Sequence, residues 1–207
     1  DIQEGVFTGG SYANENWTTN LSDLNVAAGA VFNGVEANVR VNRLSGTGTI
    51  KSGYGGAGYQ ALTFGVDNGS GAFDGLIADS QSAANIVKEG TGTIVFLGAN
   101  TYTGSTLVSA GTLQVGDGGL IGTLGSGAVT ISAGATLEIN RGNDFGSAVG
   151  QTFSGAGTLV KTGAGVAVFK GNMSGLDNLV VFDGTVRTDN WNPWKDGLRL
   201  SVNGLGT

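Results

Sequence analysis

Short runs of alternating apolar and polar residues recur along the chain, and Gly or Asn-Gly turns separate them. Residues 90–115, GTGTIVFLGANTYTGSTLVSAGTLQV, contain three such runs without a charge or a proline. Alternation with a period of two residues predicts β-strands, and no segment has the capped 3.6-residue period of a helix. The pattern therefore predicts an all-β protein built from short strands.

The strand pattern is repeated at regular intervals. Copies of its two strand motifs lie at 44–51, 90–96, 107–113, 129–139, 153–169 and 179–186. Leu107 precedes Val129 by 22 residues, and Leu137 precedes Leu159 by 22. A unit of 20–22 residues cannot bury its own apolar face, whereas stacked units bury a continuous core. The spacing predicts a single β-solenoid domain over residues 1–207, with one unit per coil.

The interior of this solenoid is predicted to hold stacked aliphatic and phenylalanine side chains. The phenylalanines that we assign to the core on their strand patterns are Phe96, Phe153, Phe169 and Phe182. An insertion at 52–87 interrupts the repeat, since it separates Lys51 from Lys88. Its own apolar alternation predicts that it adds coils as well as a Gly-rich loop.

The segment Gly98-Ala99-Asn100-Thr101-Tyr102-Thr103-Gly104, followed by SAGTL at 109–113, resembles the passenger-associated strand repeat of bacterial autotransporters. A second copy at 155–187 resembles it more loosely. The resemblance implies a right-handed parallel β-helix at the cell surface of a Gram-negative bacterium or secreted from it. It also implies a structural role for Tyr102 and a place within a larger multi-domain secreted protein.

Composition excludes several classes of function. The chain has 10 basic and 16 acidic residues, a net charge of -6 and no basic cluster, which argues against nucleic acid as a partner. No apolar run approaches the ~18 residues of a membrane helix, so we expect no membrane insertion. The absence of His and Cys excludes imidazole-based catalysis and thiolate metal sites. We expect a protein that is not an enzyme and that has no cofactor.

Carboxylates offer two weak candidate sites, and each has a simpler interpretation. One-coil spacing could align Asp117 with Glu138 as a hydrolase pair, but solvated surface charges are the simpler interpretation. Residues 67–71, DNGSG, with Asp74 and Asp79 nearby, offer oxygen ligands for calcium. An Asn-Gly turn is the simpler interpretation there, and we predict no metal site.

Aromatic residues outside the strand patterns provide the best candidate site. They lie among Asn, Gly and acidic residues, and they are Tyr12, Trp17, Tyr54, Tyr59, Trp191 and Trp194. Aromatic rings beside amides and carboxylates suit sugars, because the ring stacks on the C–H face and the polar groups bind hydroxyls. Alternatively, the tryptophans cap the open ends of the solenoid.

Two functions are therefore considered. The first, which we favour from the sequence, is a carbohydrate-binding module without catalytic activity. Its partner would be an extended plant polysaccharide such as xylan, since some carbohydrate-binding modules of xylan-degrading enzymes are parallel β-helices. The second is a structural or adhesive passenger segment of an autotransporter-like surface protein. Exposed aromatics aligned on one face would favour the first function, and buried aromatics would favour the second.

Overall fold

The computed structural model describes residues 1–8, 15–17, 19–34, 37–55, 61–189 and 199–202, with only the backbone at 15–16. All regular secondary structure in these ranges is β, and every strand pairs in parallel. The strands wind into a three-faced β-solenoid of about eight turns. The predicted parallel β-helix is confirmed. No helix in the described ranges is long and apolar enough to cross a membrane.

The first face is a continuous ladder. Its strands are β3 (Leu24–Val26), β6 (Leu44–Gly46), β9 (Gly71–Phe73), β12 (Thr93–Phe96), β14 (Thr112–Val115), β16 (Thr136–Asn140), the second half of β18 (Phe153–Thr162), the second half of β20 (Gly175–Val181) and β22 (Arg199–Val202). We number the coils 1 to 8 from the first-face strands β3 to β20.

The third face is also continuous. Its strands are β2 (Glu15–Asn16), β5 (Ala37–Val41), β8 (Ala61–Phe64), β11 (Asn85–Lys88), β13 (Thr106–Val108), β15 (Val129–Ile131) and the first halves of β18 and β20. Strands β8 to β11 arise from residues 61–88, so most of the segment 52–87 is built into coils 2 and 3. Its origin as an insertion stays a prediction.

The second face is interrupted. One sheet holds β1 (Val6–Thr8), β4 (Val31–Asn33), β7 (Thr49–Ser52) and β10 (Leu76–Asp79), and the other holds β17 (Phe145–Gly146), β19 (Val166–Phe169) and β21 (Thr185–Thr188). Coils 4 and 5 contribute no second-face strand. Their segments 98–104 and 116–127 bridge the two sheets, and the first of them contains the GANTYTG motif.

Register places like residues above one another inside the rod. Leu113 pairs with Leu137, which pairs with Leu159 and then with Leu179, and all four are buried. Glycine is required where a corner approaches the coil below. At Gly46, whose φ is 106°, a Cβ would overlap the carbonyl oxygen of Val26.

Two predictions about the core differ from the structure. Val129 pairs with Thr106 and not with Leu107, so this coil is one residue longer than predicted and Leu107 points outward. A shift of one residue exchanges the side chains that point inward with those that point outward. The polar Thr106 can lie inside the rod because its hydroxyl forms a hydrogen bond with the buried hydroxyl of Tyr102. Phe182 is not in the core: it follows the end of β20 at a corner and is 48% exposed.

Candidate functional site

Two of the six predicted aromatic site residues lie in the described ranges. Trp17 is half-buried, and its ring meets Phe32 edge-on at a centroid distance of 5.8 Å. Phe7 stacks on Phe32 from the same end of the rod, at 5.5 Å. Tyr54 is half-buried near the corner after β7. The contact of Trp17 fits the capping alternative, and neither residue forms an exposed platform.

The other four predicted site residues lie outside the described ranges: Tyr12, Tyr59, Trp191 and Trp194. The sugar-binding role of all six stays a prediction.

The proposed pair of carboxylates does not form. Glu138 is paired with Gln114 on the coil below, whereas Asp117 lies beyond the end of β14. The carboxylate of Glu138 accepts a hydrogen bond from the Thr162 hydroxyl at 2.6 Å. Glu138 therefore stabilises stacking between coils, and the less favoured alternative, its alignment with Asp117, does not occur.

The candidate calcium residues are distributed over three corners. Asn68 adopts a φ of 60°, and its Oδ1 accepts the backbone N–H of Thr91 at 2.9 Å, as expected for an Asn-Gly turn. Asp74 follows the first face, whereas Asp79 ends β10 and accepts the Thr103 hydroxyl at 2.6 Å. Within the described ranges, no three acidic residues form a group that could hold a metal.

Asn100 replaces the missing strand of coil 4 on the second face. It is buried, and its Oδ1 accepts the backbone N–H of Ile77 in the coil below at 2.9 Å. Its Nδ2 donates to the carbonyl oxygen of Thr123 in the coil above at 2.8 Å. One amide side chain therefore satisfies backbone groups of coils 3 and 5, which a β-ladder would otherwise pair.

Tyr102 fills the interior behind this interruption. It is completely buried, and its hydroxyl lies 2.8 Å from the hydroxyl of Thr106. Burial raises the pKa of Tyr102 to about 12, although hydrogen bonds with Thr106 and the Gly125 backbone oppose the shift. A Cβ at Gly125 would overlap the tyrosine ring. The aromatic ring and the glycine of the next coil therefore fit as a pair, and Tyr102 is structural.

Two buried lysines stabilise the corners of their coils. The ammonium of Lys88 donates to the carbonyls of Glu89, Gly90 and Ala110 at 2.6, 2.9 and 3.2 Å. Lys161 is buried equally well and donates to the carbonyls of the next two residues in the same way. Burial lowers the pKa of Lys88 to about 8, and the charge of Glu89 opposes this shift. Our sequence analysis missed both ammonium sites, although each lysine stands two residues before a glycine.

A shallow groove crosses the second face between coils 5 and 6, and we call it the second-face groove. Its volume is about 260 Å³, and it is lined by Asn100, Thr101, 123–126, 145–148 and Gln151. Gln151 is buried, and its Nε2 donates to the carbonyls of Gly125 and Gly127 at 2.9 and 2.8 Å. Outside this lining, Arg141 of coil 6 donates to the carbonyls of Leu120 and Gly122 in coil 5. Side chains, and not a β-ladder, therefore join the two coils here.

Residues 86–115 match the passenger-associated-transport-repeat family. Over an alignment of 191 residues, the chain is 31% identical to the adhesin BmaC autotransporter of Brucella suis biovar 1 (strain 1330). The match covers 73% of this chain and 6% of that protein, so the chain spans a small fraction of its relative. No solved structure gives a significant match.

The family match coincides with the second-face interruption, since residues 86–115 include Lys88, Asn100 and Tyr102. The predicted resemblance to autotransporter passengers is confirmed. The expected location, exposed on or secreted from a Gram-negative cell, is confirmed with it. The relative is much longer, which is consistent with the expectation that the chain is part of a larger protein.

Proposed function

We propose that this autotransporter passenger segment is a non-catalytic, adhesive part of a surface rod. Its continuous first and third faces form a stiff support, and its second face presents a contact surface to the outside. The chain would thus hold the contact surface away from the cell and contribute to attachment. Carbohydrate binding, the other function considered, has no specific observation in its favour.

The observation that carries this proposal is the similarity to an adhesin along most of the chain. The rod geometry supports the same role, because stacked coils build length while each coil contacts only its neighbours. The described carboxylates add support for a role without catalysis. Glu138 and Asp79 each bond to a threonine hydroxyl of a neighbouring coil, which is a structural task.

The proposal can be tested with beads that carry the purified chain. Beads coated with the folded chain should be retained under flow on a monolayer of cultured epithelial cells, several-fold above beads coated with albumin. Soluble chain should compete, and beads with heat-denatured chain should behave like albumin beads. Retention equal to albumin would overturn the adhesive role. Retardation of the chain in a xylan gel, without bead retention, would instead support carbohydrate binding.

A further inference from the structure

We propose that the second-face groove binds an extended polypeptide segment that pairs with the open edge of β17 and carries positive charge at its amino-terminal end. This inference rests on the proposed adhesive role and names the class of partner. Its occupant would continue the second-face ladder at the place where β10 and β17 are separated.

The backbone of Gly146 carries the argument. The N–H of Ser147 donates to the carbonyl of Val168 at 2.9 Å, and Gly146 is the β17 residue that pairs with Val168. In a parallel ladder, alternate residues direct their N–H and C=O groups to opposite neighbours. Gly146 therefore directs both groups away from β19 and toward coil 5. Gly146 is exposed and lies in the lining of the groove.

Coil 5 does not pair with this edge. Among the described residues, no backbone hydrogen bond connects 123–126 with 145–148. The N–H groups of Thr123 and Ser126 donate in the other direction, to carbonyls of coil 4. An unpaired strand edge is a template for another strand, and extended peptides commonly bind proteins by adding to such an edge.

The lining favours a peptide over a sugar. The aromatic side chain that lines the groove, Phe145, is 2% exposed and offers no face on which a sugar ring could stack. Exposed aliphatic side chains flank the groove instead: Leu120 and Ile121 precede one wall, and Val149 follows the other and is 88% exposed. Alternate side chains of an extended peptide reach such flanking positions, while its backbone pairs with Gly146.

Charge defines the kind of peptide. Asp74, Asp117 and Asp144 are exposed at the corner where the first face meets the second, in coils 3, 5 and 6. Arg141 is buried and bonded to backbone carbonyls. The exposed Lys170 lies farther along the face, where its ammonium would be 3.5 Å from a Cβ at Gly146. These carboxylates lie beyond the lining of the groove, at the corner before β17, and this corner attracts a positively charged end of a bound segment. A peptide parallel to β17 would place its amino-terminal end there.

The experiment is a titration of the ¹⁵N-labelled chain with a synthetic peptide, Lys-Lys-Thr-Val-Thr-Val-Thr, followed by amide shifts. The amides of Gly146 and Ser147 should shift in a saturable manner. Gly146→Pro should weaken binding at least tenfold because it removes the N–H that faces the groove, and proline is tolerated on such an edge. The matched control is Gly146→Ala, whose Cβ would lie 3.5 Å from the nearest atom and should leave affinity within twofold.

Two further ligands complete the titration. A peptide with Glu in place of both lysines should bind at least tenfold more weakly. Unchanged affinity of Gly146→Pro for the lysine peptide, or equal affinity for the glutamate peptide, would overturn the proposal. Shifts at Gly146 with xylohexaose and none with the lysine peptide would assign the groove to a sugar instead.

The bead assay separates this inference from the proposed function. If wild-type beads adhere and Gly146→Pro beads do not, the groove is the adhesive contact and the inference is supported. If both adhere equally and the lysine peptide does not bind, adhesion stands and the groove assignment is wrong. If peptide binds the groove but no beads adhere, the proposed adhesive role fails while the peptide site remains.

Discussion

The replacement of Asn100 by alanine tests whether side chains close the interrupted second face. The amide of Asn100 spans three coils, because it accepts from Ile77 below and donates to Thr123 above. Alanine removes both partners and leaves a backbone N–H and a backbone C=O without a hydrogen bond. We expect Asn100→Ala to destabilise the rod strongly at this level.

The magnitude follows from the number of orphaned groups. Each buried donor or acceptor that loses its partner costs about 1–3 kcal/mol. Asn100 is 6% exposed, so water does not readily replace its side chain. Two orphaned groups therefore predict a loss of about 2–6 kcal/mol in the free energy of unfolding. A matched control is Asn178→Ala, since the Asn178 Nδ2 also donates to two carbonyls but the residue is half-exposed. That control should cost about 1 kcal/mol or less.

Urea unfolding followed by circular dichroism measures the loss, and hydrogen exchange locates it. Stacked coils can unfold in more than one step, so the exchange rate of the Ile77 amide is the direct local readout. It should increase in Asn100→Ala and stay unchanged in Asn178→Ala. Asn100→Asp adds a test by pH, because only a protonated carboxyl can donate to Thr123. Its deficit should be small at pH 4 and grow as the pH rises. If the Ile77 amide exchanges as slowly in Asn100→Ala as in the wild type, the reasoning is refuted.

Three further predictions concern the interior. Burial lowers the pKa of Lys88 to about 8, so between pH 8 and 10 the unfolded chain holds a proton that the folded chain has lost. Stability should therefore rise with pH in this window, by at most about 3 kcal/mol. Urea unfolding at both ends of the window should show the rise in the wild type and a smaller one in Lys88→Met. Tyr102→Phe removes a buried hydroxyl and its hydrogen bonds, so thermal unfolding should report a loss of about 1–2 kcal/mol, and an unchanged melting temperature would contradict it. Gly98→Ala would place a Cβ onto the carbonyl of Gly75, so the free energy of unfolding should fall by more than about 3 kcal/mol. Gly134 has a φ of 79° but open space around it, so Gly134→Ala should lower the free energy of unfolding by about 1 kcal/mol. Equal urea midpoints for these two variants would show that the corner relaxes freely.

The sequence predicts the architecture well because periodicity and coil length are local properties. The pairing of Leu137 with Leu159, and of Leu159 with Leu179, follows directly from spacing. Leu107 shows the limit of that method. Its coil has one extra residue, and the register depends on the bond between Tyr102 and Thr106 inside the rod, which no alternation pattern reports.

The candidate site was harder to predict from the residues. Sequence reasoning searched for exposed aromatics, because these carry a recognisable chemistry for sugars. The second-face groove instead depends on a backbone edge at Gly146, and any residue type can supply such an edge. Its signal was the absence of a strand pattern after Val115, where the chain reads GDGGLIG before alternation returns.

The repeat and the groove have a common physical cause. On the second face, the family motif replaces the strand of coil 4 with the side-chain bridge from Asn100, and Gln151 of coil 6, which lies outside the family match, bridges to coil 5. A ladder would have paired the edge of β17 with coil 5 and left no backbone group exposed. These side chains satisfy the carbonyls to which they donate, and among the residues that the structure describes no backbone group pairs with Gly146. Gly146 lies at the surface of a rod whose other two faces are continuous. It follows that a variant that rebuilds a strand at 122–126 should gain stability and lose the peptide site together.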